Sequence, residues 1–237
     1  MSPLTLRVAT SGYAYPEWKG TFYPADLPAS KMLAWYVGHF STVEINATFY
    51  RMPNAKTLAA WAAAAPDGFT FVLKAPQRIT HIARLRDVDD SLRYFCDTAR
   101  TLGPKLGPLL FQLPPNLKKA ADRLGDLLAK LPPGLRAAFE FRHASWFDDE
   151  ILALLRAKNA ALCIADTEEG ATPAVATADW GYLRLRAAGY SDDDLARWLA
   201  TIRQVGAGWR EAFVFFKHDL DAPRLAMAFQ HQVLTHR

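Results

Sequence analysis

The sequence predicts an α/β fold, a single (β/α)8 TIM-like barrel spanning residues 1–237 as one domain. Three observations carry this reading. Eight short apolar runs recur along the chain, helix-like segments separate nearly all of them, and no linker or low-complexity stretch divides the series. With 51% hydrophobic, 12% aromatic and 22% charged residues, the chain has ample apolar surface for one large core.

The runs are rich in Val, Ile, Leu, Phe and Tyr and short enough to be strands. LRVATSG from Leu6 is the first, followed by an aromatic loop and a helix expected at about 30–40. TVEINATF from Thr42 precedes a helix expected at about 55–64, and FTFVLKA from Phe69 one at about 88–102. GPLLFQLP from Gly107 leads to about 117–130, and RAAFEFRH from Arg136 to about 149–158. AALCIADT from Ala160 is the sixth run. The segment after it, TEEGATPAVATAD, carries Gly170 and Pro173, so the sixth helix is expected to be short or missing. WGYLRLRA from Trp180 precedes about 192–205, and EAFVFFKH from Glu211 precedes about 223–235. Parallel strands need long crossovers, which the series provides. A doubly wound open sheet is the alternative, but no run has the internal Pro or lysine row that protects a sheet edge.

Lys and Arg number 28 and Asp and Glu 24, a formal charge of +4. That excess favours acidic partners and falls short of a nucleic-acid coat. The acidic clusters Asp148–Glu150 and Asp192–Asp194 each precede an apolar-periodic segment and read as helix starts rather than metal ligands. Two cysteines, Cys96 and Cys163, make neither a disulfide framework nor a zinc site. No apolar run reaches the length of a membrane span and the first residues lack a leader pattern, so a soluble cytoplasmic protein is expected.

Side chains alternate across a strand, and strand parity therefore sorts each run into a helix-facing and an axis-facing set. Val43 and Ile45 suit the helices, which leaves Glu44 and Asn46 inward. The same rule sends Lys74, Gln112, Glu140, Arg142, Arg184, Arg186 and Lys217 inward and places Asp166 just past its strand. These positions lie near C-terminal strand ends, where barrel enzymes build their sites. Charges there must pair with each other, with water or with a ligand. Cations exceed carboxylates, so a small anionic ligand would complete the balance.

His81 and His143 follow the third and fifth strands on the same side. Tyr13, Trp18 and Tyr50 belong to aromatic loops after the first two strands. Packing over the mouth accounts for many of those rings, and the rest would suit a flat, ring-bearing substrate. Glu44, Lys74, Glu140 and Asp166 are the candidate catalytic residues. Asn46, His81, Gln112, Arg142, His143, Arg184, Arg186, Lys217, Tyr13, Trp18 and Tyr50 are candidates for substrate binding. No residue is assigned to a metal. A divalent ion on the carboxylates and histidines has no HxH or HExxH spacing behind it, and GxSxG, GxGxxG and P-loop motifs are absent, so no nucleotide cofactor is indicated.

TSGYAYPEWKGTFYP, FSTVEINATFYRMP, FTFVLKAPQRITH, KLGPLLFQLPPNL, AFEFRHASWF, IADT, GYLRLRAAGY and FVFFKHDLDAPRLA, in that order, resemble the YecE-like family of uncharacterised proteins, domain of unknown function 72. The resemblance covers practically the whole chain and implies a TIM-like barrel in a soluble bacterial-type protein, without an established reaction. It marks Glu44, Asn46, Lys74, His81, Gln112, Glu140, Arg142, His143 and Asp166 as signature positions. The seventh run departs from it, with Arg186 and Ala187 where the family pattern has His and Gly, so no role is carried to that position.

Three functions follow as expectations. The first is an enzyme binding a small anionic substrate, phosphorylated or ring-bearing, at the barrel mouth. It would use acid–base chemistry of the hydrolase, lyase or isomerase kind, with Glu140 or Glu44 as proton acceptor and the cations stabilising negative charge. The alternatives are a nucleic-acid binding or processing protein and a non-catalytic ligand-binding barrel.

Overall fold

The computed structural model describes residues 4–51, 54–168, 170–187, 189–217 and 220–235. Met52, Pro53, Glu169, Ala188, His218 and Asp219 of the segments above lie outside them. In chain order the elements are β1 (Thr5–Thr10), α1 (Met32–Tyr36), β2 (Thr42–Ile45), α2 (Ala47–Tyr50), α3 (Ala55–Ala64), β3 (Thr70–Lys74), α4 (Asp89–Ala99), β4 (Leu106–Gln112), α5 (Ala121–Lys130), β5 (Ala137–Glu140), α6 (Asp149–Ala157), β6 (Ala161–Thr167), β7 (Gly170–Ala171), β8 (Trp180–Leu185), α7 (Asp192–Val205), β9 (Glu211–Phe216) and α8 (Ala222–Thr235). Short 3-10 turns and a π-helical turn at Arg78–Ile82 fill the connections.

Eight strands pair in parallel in the order β1-β9-β8-β6-β5-β4-β3-β2, and β7 is a two-residue antiparallel lip on β6. Between β1 and β2 the ring closes through a single bridge, Ser11 to Glu44, with the Gly12 N–H donating to the Glu44 carbonyl at 2.7 Å. The sheet is therefore a nearly closed barrel and not an open doubly wound sheet. Gly12 turns the chain away from this seam at φ 94°, and a Cβ there would lie 2.6 Å from the Tyr15 ring. Among the described residues no helix joins β6 to β8, as the Gly- and Pro-bearing segment predicts. Also among the described residues, no helix is long and apolar enough to cross a membrane.

Register fixes which residues face the axis. Cys163 pairs with Tyr182 and Ala165 with Arg184, while Tyr182 pairs with Phe213 and Arg184 with Phe215. These positions form the barrel interior, where Tyr182 packs on Phe215 at a ring separation of 5.5 Å. The opposite parity feeds the helix layer. Trp61 of α3 stacks on Phe71, Phe95 of α4 meets Phe111, and Phe229 of α8 meets Phe216. At the N-terminal end Glu211 bridges Arg7 and Arg136, and the Arg136 guanidinium lies over Trp180 and Phe213. Charged groups thus occupy both ends of an otherwise apolar interior.

The helices start where the carboxylate clusters suggest. Asp148 caps α6 by accepting the Ile151 N–H, and Asp192, Asp193 and Asp194 occupy the first turn of α7. There Ser191 and Asp194 form a capping box: Ser191 Oγ accepts the Asp194 N–H at 3.2 Å and the Asp194 carboxylate accepts the Ser191 N–H at 2.8 Å. Replacing Ser191 by Ala should cost about 1 kcal/mol and lower the melting temperature by about 2–4 °C in a thermal melt. An unchanged melting temperature would mean the cap adds nothing. The helix expected from 117 begins instead at Ala121, because Leu117 turns back to Pro114 and the Lys119 N–H is taken by Ser145 Oγ.

Candidate functional site

At the C-terminal mouth, β2, β5 and β8 bring Glu44, Glu140 and Arg184 together with 0%, 1% and 1% of their side chains exposed. Arg184 Nη2 donates to Glu44 Oε1 at 2.9 Å and Nη1 donates to Glu140 Oε2, while the Tyr182 hydroxyl donates to Glu44. One guanidinium thus joins two carboxylates across the barrel. Such a triad is costly to desolvate, and its geometry offsets the cost only because both carboxylates are held.

Above it the balance changes. Glu140 Oε1 accepts from Gln112 Nε2 at 2.8 Å and from Arg142 Nε at 3.0 Å, and Arg186 Nη1 lies 3.6 Å away. Gln112 in turn accepts from Lys74 Nζ at 2.8 Å, and that ammonium sits 4.0 Å over the Phe49 ring. Lys74, Gln112 and Glu140 therefore form a chain across β3, β4 and β5. The register explains it, since Gln112 and Glu140 are direct partners.

Electrostatics assign different characters to these groups. Burial pushes the Glu140 carboxyl upward, but Arg184, Arg142 and Arg186 outweigh it and hold the group well below the usual carboxylate range. Glu140 is consequently a fixed anion and a weak proton acceptor. Burial, helped by Arg184, brings Lys74 down to about 7 against the opposing pull of Glu44 and Glu140. Burial and then Lys74 and Arg142 lower His81 to about 4, leaving its ring neutral at neutral pH. Lys74 is thus poised to exchange a proton near neutrality, whereas Glu140 is held as an anion.

Glu140, Arg142 and Arg186 line one side of a cleft of about 470 Å³, whose other walls are Pro115, Phe147 and the β6–β7 lip with Thr167, Glu168 and Thr172. The lip residues were not singled out by the sequence, because an irregular connection has no parity to follow. Four buried polar atoms around the mouth have no hydrogen-bond partner among the described residues: Ser11 Oγ, Asn46 Nδ2, Arg184 Nε and Arg186 Nε. Burial and then Arg184 lower the Arg186 pKa, as expected for cations crowded together.

Several predicted site residues stand apart from this cluster. Asp166 lies within β6, not past it, and shares the helix-facing parity of Leu185. Its carboxylate accepts from the Tyr190 hydroxyl at 2.8 Å and from Trp198 Nε1 at 3.1 Å, so it anchors α7 behind the barrel wall. Trp18 is buried among Tyr15, Phe22 and Tyr23, and half-buried Tyr13 packs on Tyr36, so both rings belong to the loop core. Tyr50 does reach the rim, 75% exposed. His143 accepts the Ser145 N–H and caps the short turn after β5. Lys217 continues inward parity just beyond β9 and is half-buried. Both cysteines are buried, with burial raising each thiol pKa. Among the described residues no three metal-ligating side chains converge.

Fold and site together define a (β/α)8 barrel with a cation-rich polar layer at its C-terminal mouth. The chain belongs to the DUF72 family: the family described as "Protein of unknown function DUF72" matches residues 7–237. The UPF0759 protein YunF of Bacillus subtilis is 29% identical over 170 residues, covering 65% of this chain and 60% of that protein. The UPF0759 protein YecE of Escherichia coli is 37% identical over 79 residues, covering 33% of this chain and 29% of that protein. The matched stretches thus span less than two thirds of these relatives. A crystal structure of a DUF72 family protein from Thermotoga maritima superimposes with a TM-score of 0.84 at 25% identity, covering 98% of this chain and 100% of that one. A second, from Enterococcus faecalis, gives 0.78 at 19% identity over 99% of both chains and shares the fold.

Proposed function

We propose that the chain is an enzyme that binds a small anionic substrate in the cleft at the barrel mouth, through Arg142 and Arg186. The observation that carries this reading is that both guanidiniums face one oxygen of Glu140 while lining the cleft. Arg184 already joins Glu44 and Glu140, so within the polar layer the three arginines exceed the two carboxylates by one charge even with Lys74 neutral, and the cleft's remaining carboxylate, Glu168, is on the exposed lip opposite and not paired with them. An anion supplies the missing charge, and the facing wall is shaped by Thr167 and Thr172, whose hydroxyls donate to the Gly170 and Cys163 carbonyls. Lys74 is the proton carrier, with neutral His81 beside it, and the arginines stabilise negative charge developing on the substrate. The reaction is acid–base in kind.

A calorimetric screen of carboxylates, sugar phosphates and ring-bearing acids at low salt tests the reading. At least one should bind saturably, and Arg186→Gln or Arg142→Gln should each weaken that binding about tenfold. Equal affinity in both folded variants would end the proposal.

A further inference from the structure

A second concave surface lies beside the mouth, between the connection after β3 and the connection after β4. It is a groove of about 560 Å³ lined by Arg84, Arg86, Lys118, Lys119 and Arg123 together with Asn116. Lys119 is neutralised by Asp148 and Glu150. The other four cations have no carboxylate within ion-pair distance among the described residues, although twelve Lys and Arg side chains outside the groove do.

Two of the four, Arg84 and Arg123, are half-buried and bonded only to uncharged groups. Arg123 reaches the Arg84 carbonyl at 3.5 Å, and Arg84 donates to Asn116 Oδ1 at 3.3 Å. The backbone that presents Arg84 and Arg86 is strained, with Arg84, Leu85 and Asp87 all at positive φ (51°, 65° and 48°). Four unpaired cations lining one groove, two of them on a strained loop, repel one another unless an anion joins them.

We infer that this groove is a subsite for a multiply charged phosphate group of diphosphate size. The flanks set the size. Asp148 and Glu150 of α6 bound it at Lys119, and along the chain Arg86 is followed at once by Asp87, Asp89 and Asp90, so the cations form a short patch interrupted by carboxylates and not a stripe that could track a long polyanion. The start of α5 adds to it. Ala120 and Arg123 line the groove and no side chain caps the helix there; its first turn also carries Asp122, which is exposed and does not line the groove, so the uncapped N–H groups still face it. The inference deepens the reading of an anionic substrate and adds a second contact region for it, but the groove does not require the mouth to be occupied.

Inorganic pyrophosphate is the probe, titrated by calorimetry into the full chain at low salt. It should bind saturably, and the double variant Arg86→Ser/Lys118→Ser, which alters two exposed side chains, should weaken binding at least tenfold. Arg123→Ser should do the same, and Arg186→Gln should leave pyrophosphate binding intact. Absence of saturable binding, or unchanged affinity in both groove variants, overturns the inference. A loss confined to Arg186→Gln also overturns it while leaving the mouth reading in place. Binding of a ten-nucleotide single strand tighter than pyrophosphate, and lost in the groove variants, overturns the size argument in favour of a nucleic acid.

Discussion

Glu140→Gln should lower the stability of the folded chain by about 3–5 kcal/mol at pH 7, measured by urea denaturation. The reason is the number of cations that depend on one carboxylate: Arg184 on one oxygen, Arg142 and Arg186 on the other. The amide keeps the shape and the Gln112 neighbour but leaves buried Arg184 with Glu44 alone. Neutralising Glu44, Glu140 and Arg184 together, as Glu44→Gln, Glu140→Gln and Arg184→Met, should cost much less than the sum of the single changes, because the fully buried guanidinium is gone and only the partly exposed Arg142 and Arg186 lose a partner. The same network sets the acid limit. Glu140 has a depressed pKa, so its contribution is complete above the ordinary carboxyl value of 4.5 and is lost as the pH falls below that value toward the folded one. A loss below about 1 kcal/mol for Glu140→Gln would show that water reaches Arg184 and that the triad is not the electrostatic centre of the barrel.

The second large effect concerns Lys74 and alkaline pH. Unfolded lysine keeps its proton up to 10.5, whereas folded Lys74 releases it near 7. Between those values the unfolded chain binds more protons, so this side chain makes the fold more stable as the pH rises. The tyrosines and cysteines buried in neutral form act in the opposite sense at the upper end, so the informative quantity is a difference between proteins. Across pH 7 to about 9.5, the stability of the native chain relative to Lys74→Met should climb by about 1 kcal/mol per pH unit. Parallel stability curves would show that Lys74 remains protonated throughout and would remove it as the proton carrier at the mouth.

Legibility followed physical regularity. The eight barrel strands were readable because β-branched and aromatic runs of strand length stand out between helical segments, and Glu44, Gln112, Glu140 and Arg184 were readable because a polar residue inside an apolar alternation has only one face to go to. Asp166 defeated the same rule. Both faces of β6 are buried, Cys163 and Ala165 inward and Ile164 outward, so the run offers no polar alternation to fix the parity. Trp18 and Tyr13 sit in a loop where no period applies, and their packing on Tyr36 and Tyr23 comes from tertiary contacts. The π-helical turn at Arg78–Ile82 and the four-residue α2 are too short for a hydrophobic period. The bond from Arg123 of α5 to the Arg84 carbonyl joins a helix to a connection 39 positions away, which no local pattern encodes.

The single bridge between β1 and β2 has a consequence for the order in which the barrel assembles. β1 has its full ladder only with β9, over six residues, and Arg7 and Glu211, which tie that ladder together, are 204 positions apart. During synthesis β1 therefore leaves the ribosome long before the strand it pairs with, and its neighbour β2 offers it little in the meantime. The sheet from β2 through β8 can zip between sequence neighbours, whereas β1 waits as an unpaired edge until β9 arrives to seal it. Chaperone dependence and aggregation of newly made chains should accordingly concentrate on this first strand, the one whose partner is made last.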